Sequence, residues 1–243
     1  RKISSRTENT SLRSLGKEFN LIDFASNDYL GYAKSGLIFD KTHQFLINKN
    51  IKQNGATGSR LLSGNHKLYN SVEKKIAEFH NTEAALIFNS GYDANIGFFS
   101  SVPQRGDFIL YDEFIHASIR DGVQLSNAKA YKFKHNDIKN LEDRILSIKA
   151  ESKDNESEIY VVTEAVFSMD GDSPDLIALV KTCKKHNVYL IIDEAHAVGV
   201  FKNGFVEKLN LGNDVFARII TFGKALGCHG AAVLSSNELK QYL

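Results

Sequence analysis

The chain has 243 residues, 42% of them hydrophobic and 24% charged, and a formal net charge of +1. That length and apolar content suffice for one substantial α/β domain with at most a small appendage, and the near-neutral charge excludes a bulk field for nucleic acid or an acidic membrane. No apolar run approaches the ~20 residues that span a bilayer, and Cys183 and Cys228 lack CxxC spacing, so they read as reduced thiols of a cytoplasmic protein.

In chain order, Arg1–Phe19 is polar, lacks clear periodicity and does not read as a signal peptide; it is expected to be an arm or a small N-terminal element. Leu21–Ala25 reads as a short strand, and Ser26–Gly31 (SNDYLG) as a turn with Asn/Asp chemistry and a glycine stop. A helix is expected over Ser35–Lys52. Asn54–His66 is a long loop rich in Gly, Ser, Thr and Asn, either a flexible connection or a functional loop. Leu68, Val72, Ile76 and Phe79 form one helical stripe over Lys67–Phe79. Strands and helices then alternate: strands over Ala84–Phe88, Phe108–Tyr111, Ala128–Phe133 and Ile159–Thr163, helices over Asn89–Ser101, His116–Leu125 and Asp137–Lys149. Glu151–Glu158 reads as a solvated charged connection. Ser173 is expected to cap a helix with Pro174 at its first position. Strands follow at Val188–Ile192, Ala217–Phe222 and Ala231–Ser235. Seven strands with helical connections predict a three-layer α/β/α fold around a mostly parallel seven-stranded sheet. Residues 1–35 are assigned to an N-terminal segment and residues 36–243 to the large domain.

Two strand ends carry the chemistry. Tyr189–Ile192 runs into Asp193-Glu194-Ala195-His196, and Ala217–Phe222 runs into Gly223-Lys224-Ala225-Leu226-Gly227. Ligands of open α/β sheets bind at the carboxyl edge of the strands. Asp193–His196 spells the DEAH motif of nucleic-acid-dependent ATPases, but that class needs a GxxxxGK[ST] loop, and no GK[ST] occurs here. A plain strand-end acid with a capping histidine also fits those four residues. The sharper reading is a site for an aldehyde cofactor with a pyridine ring. Asp193 is suited to pair with a protonated ring nitrogen, and Lys224, between two glycines, to hold the aldehyde as a Schiff base. His196 follows Asp193 closely enough to face the same ring. Asn89-Ser90-Gly91-Tyr92 opens a helix whose free N–H groups suit a phosphate, and Thr221 offers a hydroxyl. His116 either caps its helix or stacks on the ring. Ser168 either contacts a ring hydroxyl or sits in a polar turn.

Thr163–Asp172 (TEAVFSMDGD), Asp193–Gly199 (DEAHAVG) and Thr221–Gly227 (TFGKALG), together with Ser26–Gly31 and Gly55–His66, resemble the α-oxoamine synthases. These are enzymes dependent on pyridoxal 5'-phosphate (PLP), of the aspartate-aminotransferase fold type. The resemblance runs from about Leu21 to the end. It implies that Lys224 forms the Schiff base, Asp193 meets the ring nitrogen and His116 stacks. It places His196 and Ser168 near the ring hydroxyl, and Gly91, Tyr92 and Thr221 in cofactor contacts. It makes Lys224, His116 and Asp193 the catalytic residues, with His116, Asn27 and Arg1 toward the substrate and no metal. Ala165 stands where the family has Gly or Ser. Thr221–Ser235 is most similar to the member that condenses a pimeloyl thioester, on CoA or a carrier protein, with L-alanine and releases CO₂. Sister enzymes use glycine or serine, and a non-catalytic PLP-fold binding protein is the alternative of another class. The family builds its site at a homodimer interface and adds a C-terminal domain, so this chain is expected to be a fragment.

Overall fold

The computed structural model of this chain describes residues 11–14 and 17–20 as strands, and residues 23–151 and 157–243 in full. Strands β1 (Ser11–Ser14) and β2 (Lys17–Asn20) pair antiparallel as a hairpin, where the sequence indicated an arm or a small N-terminal element without regular periodicity. Helix α1 (Gly36–Asn48), capped by the Ser35 hydroxyl, is followed by the long loop and α2 (Lys67–Phe79), capped by His66. The alternating part comprises β3 (Ala84–Phe88), α3 (Gly91–Ser101), β4 (Phe108–Asp112), α4 (Ala117–Leu125), β5 (Lys129–Phe133) and α5 (Ile138–Glu151). It continues with β6 (Ile159–Glu164), α6 (Leu176–Lys185), β7 (Tyr189–Asp193), the short α7 (Phe205–Lys208), β8 (Ala217–Thr221), β9 (Ala231–Ser235) and α8 (Asn237–Tyr242).

Seven strands form one sheet in the order β3-β9-β8-β7-β6-β4-β5. The run from β8 to β5 is parallel, whereas β9 pairs antiparallel with both β3 and β8. The sheet is therefore mixed on one side. The short excursion from Thr221 to Ala231 explains this, because a parallel return needs a crossover of a dozen or more residues.

The central strands bury both faces, and their period of two sorts the side chains. Leu110, Val161, Leu190 and Ile192 face one core with Leu141 and Ile145 of α5 and Leu176, Leu179 and Val180 of α6. Ile109, Tyr160, Val162, Ile191 and Ile219 face the other, with Ala94, Phe98 and Phe99 of α3 and Ile119 and Val123 of α4. Extending that alternation by one step puts Glu164, Asp193 and Thr221 at the carboxyl edge, all on the side of α3 and α4.

Three local expectations need correction. Residues 23–25 are irregular rather than a strand, and residues 21–22 lie outside those described. Helix α6 is capped by Asp175, whose carboxylate accepts from the Ala178 N–H at 3.0 Å, not by Ser173; Pro174 precedes the cap. An ionised side chain there meets both the free N–H groups and the positive end of the helix. Helix α1 stops at Asn48, before Lys52, and Asn50 then takes a positive φ of 50°.

Candidate active site

The edge of β6, β7 and β8 and the first turns of α3 and α4 enclose a cavity of about 160 Å³. Gly91, Tyr92, His116, Asp193, Thr221 and Lys224 line it, so six of the residues singled out from sequence meet in one place. A larger cavity of about 300 Å³ lies between α1, α2 and the long loop; its lining holds no carboxylate and no amine.

Register explains the convergence. Glu164 is paired with Asp193, and Asp193 with Ile219, two residues before Thr221. Asp193 is buried, and both its oxygens are held: Oδ1 accepts from the Ala195 N–H at 2.9 Å and Oδ2 from Asn95 Nδ2 at 2.9 Å. The same Asn95 amide donates to Ser118 Oγ at 3.0 Å, and Ser118 lies 2.8 Å from His116 Nδ1. His116 caps α4, accepting from the Ser118 N–H, while its own N–H donates to Glu164 Oε1 at 2.6 Å. The ring therefore stands at the cavity rim with one nitrogen engaged. Thr221 Oγ1 accepts from the Gly223 N–H at 3.3 Å and donates to the Gly230 carbonyl at 3.2 Å. Tyr92, in the first turn of α3, hydrogen-bonds Asp121 of α4.

Lys224 Nζ lies 2.6 Å from His196 Nε2, whose Nδ1 lies 2.7 Å from the Tyr29 hydroxyl. Burial pushes the Lys224 ammonium below its usual range, against the opposing pull of Asp193 and Glu164. Burial, with Lys224 and His116 nearby, brings His196 down to about 4, so its ring is neutral near pH 7. Burial likewise lowers His116. Glu164 is only 3% exposed; burial and the Asp193 charge push it up to about 8.

The loop bearing Lys224 is shaped by Gly227, at φ 61°, where an added Cβ would lie 2.2 Å from the Ala33 N. The space this glycine clears is thus filled by the backbone of the N-terminal turn, not by a ligand. An added Cβ on Gly223 would meet only ordinary contacts, so the space around the lysine does not depend on that glycine.

Other expected residues fall elsewhere. Ser168 is exposed in the loop after β6 and is not among the cavity-lining residues. Asn27 is exposed outside the cavity and reaches the site through Tyr29, whose hydroxyl lies 3.1 Å from its Oδ1. Arg1 lies outside the described residues. Sequence reasoning missed Asn95, Ser118 and Glu164. Asn95 was detectable, one helical turn after Gly91 and so on the same face. Glu164 was quoted within a motif but given no role.

Pyridoxal phosphate fits this arrangement. The Asp193 carboxylate keeps lone pairs for a cationic ring N–H, and burial disfavours the charged form of the neighbouring Lys224 amine. The Gly91 and Tyr92 N–H groups lie in the first turn of α3, where no intrahelical acceptor exists. Asn95, in the same lining, has its acceptor Oδ1 buried with no protein partner.

Residues 20–243 match the aminotransferase class I and II family. The chain belongs to that family. It is 40% identical over 234 residues to the 8-amino-7-oxononanoate synthase of Emericella nidulans, covering 91% of this chain and 57% of that protein. Serine palmitoyltransferase of Sphingomonas wittichii superposes with a TM-score of 0.82 at 31% identity, covering 94% of this chain and 56% of that one. A high-resolution structure of SPT with PLP as its internal aldimine gives 0.82 at 29% identity, with coverages of 96% and 59%. Francisella tularensis 8-amino-7-oxononanoate synthase gives 0.72 at 28% identity, with 91% and 60%. This family chain therefore spans somewhat more than half the length of such relatives. Among its described residues no helix is long and apolar enough to cross a membrane.

Proposed function

We propose that this chain carries the cofactor site of a PLP-dependent acyltransferase that joins an amino acid to an acyl thioester with loss of CO₂. L-Alanine and a pimeloyl thioester, on CoA or a carrier protein, are the substrates favoured by the similarity to 8-amino-7-oxononanoate synthases. That assigns the protein to biotin synthesis in the cytoplasm, with residues 36–243 as the PLP-binding domain and residues 1–35 as an N-terminal segment. The observation that carries the reading is that Lys224 and Asp193, from adjacent strand ends, open onto one cavity, with the amine's charged form disfavoured by burial.

PLP, when bound, supplies an aldehyde carbon and a cationic pyridine ring that takes up the electron pair released at the amino acid's α-carbon. The Asp193 carboxylate would accept from the ring N–H, and Asn95 Nδ2 and the Ala195 N–H hold that carboxylate in place. Lys224 Nζ would hold the aldehyde carbon and would accept the substrate's α-proton, a role that the neutral amine fills. His196 Nε2, at 2.6 Å, is the partner through which Nζ sheds or regains its proton. His116 lines the same cavity, and the first turn of α3, with Thr221, would receive the phosphate. Ser168 is proposed to meet the ring hydroxyl, and Asn27 the substrate, once the site is filled. A homodimer is proposed to complete the site, supported by the exposed Leu37, Phe39, Ile47, Leu61 and Leu62 on α1 and the long loop.

Adding PLP to the purified protein is expected to produce a visible absorbance band that changes with L-alanine and is absent in Lys224→Ala. A band retained in that variant removes Lys224 from its role. Serine in place of alanine is the second reading, because the serine palmitoyltransferases superpose with the higher TM-scores; product analysis with alanine, glycine and serine separates the substrates.

A further inference from the structure

The N-terminal turn enters the site through one side chain. The Tyr29 hydroxyl lies 2.7 Å from His196 Nδ1 and 3.1 Å from Asn27 Oδ1, and His196 Nε2 lies 2.6 Å from Lys224 Nζ. We propose that Tyr29 is a positioning residue for the Lys224 amine: by fixing which nitrogen of His196 carries the proton, it keeps an acceptor facing Nζ. The inference rests on the Lys224 role proposed above.

Counting protons leaves two arrangements. Asn27 Oδ1 only accepts, and the tyrosine has one proton to give. In the first arrangement Tyr29 donates to Asn27, His196 Nδ1–H donates to the tyrosine oxygen, and bare Nε2 accepts from Lys224. In the second, Tyr29 donates to Nδ1, so the ring proton sits on Nε2 and points at Nζ; only a neutral amine with a free lone pair tolerates that. Asn27 selects the first arrangement, because it gives the tyrosine proton somewhere else to go. The neutral state of His196 is what makes the count strict, since a cationic ring would donate from both nitrogens.

The turn is held firmly enough to impose this. The Tyr29 N–H donates to the Asn27 carbonyl at 2.9 Å, and the Ala33 N–H to the Asp28 carboxylate at 3.2 Å. Gly227 of the lysine loop sits against Tyr32–Ala33, and the Leu30 side chain reaches Gly199 on the loop after β7. The charged and titratable groups around Nζ and the His196 ring are Asp193 of β7, Glu164 of β6, His116 at the cap of α4 and Tyr29 itself. Among the described residues the Tyr29 hydroxyl is the hydrogen-bond partner of Nδ1, so the tyrosine, with Asn27 behind it, sets the tautomer.

The test uses the protein without added PLP. Nitrogen-15 NMR of histidine, with the His196 signals assigned by their loss in His196→Asn, reads the tautomer. The pH dependence of amine labelling at residue 224, read by mass spectrometry, reports the Lys224 proton. Wild type is expected to show mainly the Nδ1–H form. Tyr29→Phe and Asn27→Ala, one losing the hydroxyl and the other only its acceptor, are both expected to move the majority to Nε2–H and the labelling midpoint to lower pH. An unchanged tautomer in both variants overturns the proposal, including the case where catalysis alone suffers. If the wild-type absorbance test fails while these shifts occur, the PLP reading falls and the tyrosine–histidine coupling stands.

Discussion

His80 caps α2 at 3% exposure, and its Nδ1–H donates to the Asn203 carbonyl at 2.9 Å. Burial, helped by the Arg218 charge, brings it down to about 4 from an ordinary 6.5. A histidine depressed in the folded state is neutral there while the unfolded chain takes up a proton. Its contribution to stability is complete above about pH 6.5 and is lost as pH falls toward 4. At 1.36 kcal/mol per unit, the loss between pH 7 and pH 5 comes to about 2 kcal/mol, a large share of a domain's ~5–15 kcal/mol. Glu164, raised to about 8, works the opposite way: its stabilisation is present at low pH and is lost as pH rises toward 8. His196, also brought down to about 4, and His116 add to the His80 effect, so the raw pH profile of the protein mixes several groups and a variant is needed to isolate His80. His80→Asn keeps an amide donor where Nδ1 stands and cannot titrate. Urea unfolding at pH 7 and pH 5 is predicted to show wild type losing about 2 kcal/mol more than His80→Asn. Equal losses in the two proteins refute the assignment of His80 as a buried neutral group.

Two further outcomes are expected in the same unfolding assay. Arg218 is 4% exposed, donates to the His80 carbonyl at 2.8 Å, and lies 3.7 Å from both Glu194 Oε2 and Glu207 Oε2. Arg218→Met strands the buried Glu194 carboxylate and is expected to cost about 3–5 kcal/mol, with Glu194→Gln in the same chain recovering part; a double variant as unstable as the single one contradicts this. Gly227→Ala forces a Cβ to 2.2 Å from the Ala33 N at φ 61° and is expected to cost about 1–3 kcal/mol. A change within about 0.5 kcal/mol, the ordinary range for surface sites, means that the lysine loop and the N-terminal turn are not pressed together.

Much of this protein was written along the chain. The strands from β3 to β9 and the helices between them follow from short β-branched runs alternating with 3.6-residue stripes, signals that need no distant partner. The acid at 193 and the lysine at 224 stand out because a polar group at the end of an apolar run is local information. The N-terminal hairpin escaped because Arg1–Phe19 has no alternation to mark it, and the cap of α6 was misplaced because Ser173 and Asp175 offer the same chemistry two residues apart. What only the folded molecule decides is which side each residue faces and what meets it there. Strands buried on both faces carry no polar alternation, so nothing in the sequence shows that Glu164, Asp193 and Thr221 share one side. Register settles that, and it is what brings Asn95 to Asp193. Likewise Tyr29 precedes His196 by 167 positions, and their 2.7 Å contact exists because a glycine at 227 lets two backbones close on each other. Local propensity acts over a few residues, whereas the Tyr29–His196–Lys224 hydrogen-bond chain is assembled from segments that touch only after the sheet has formed.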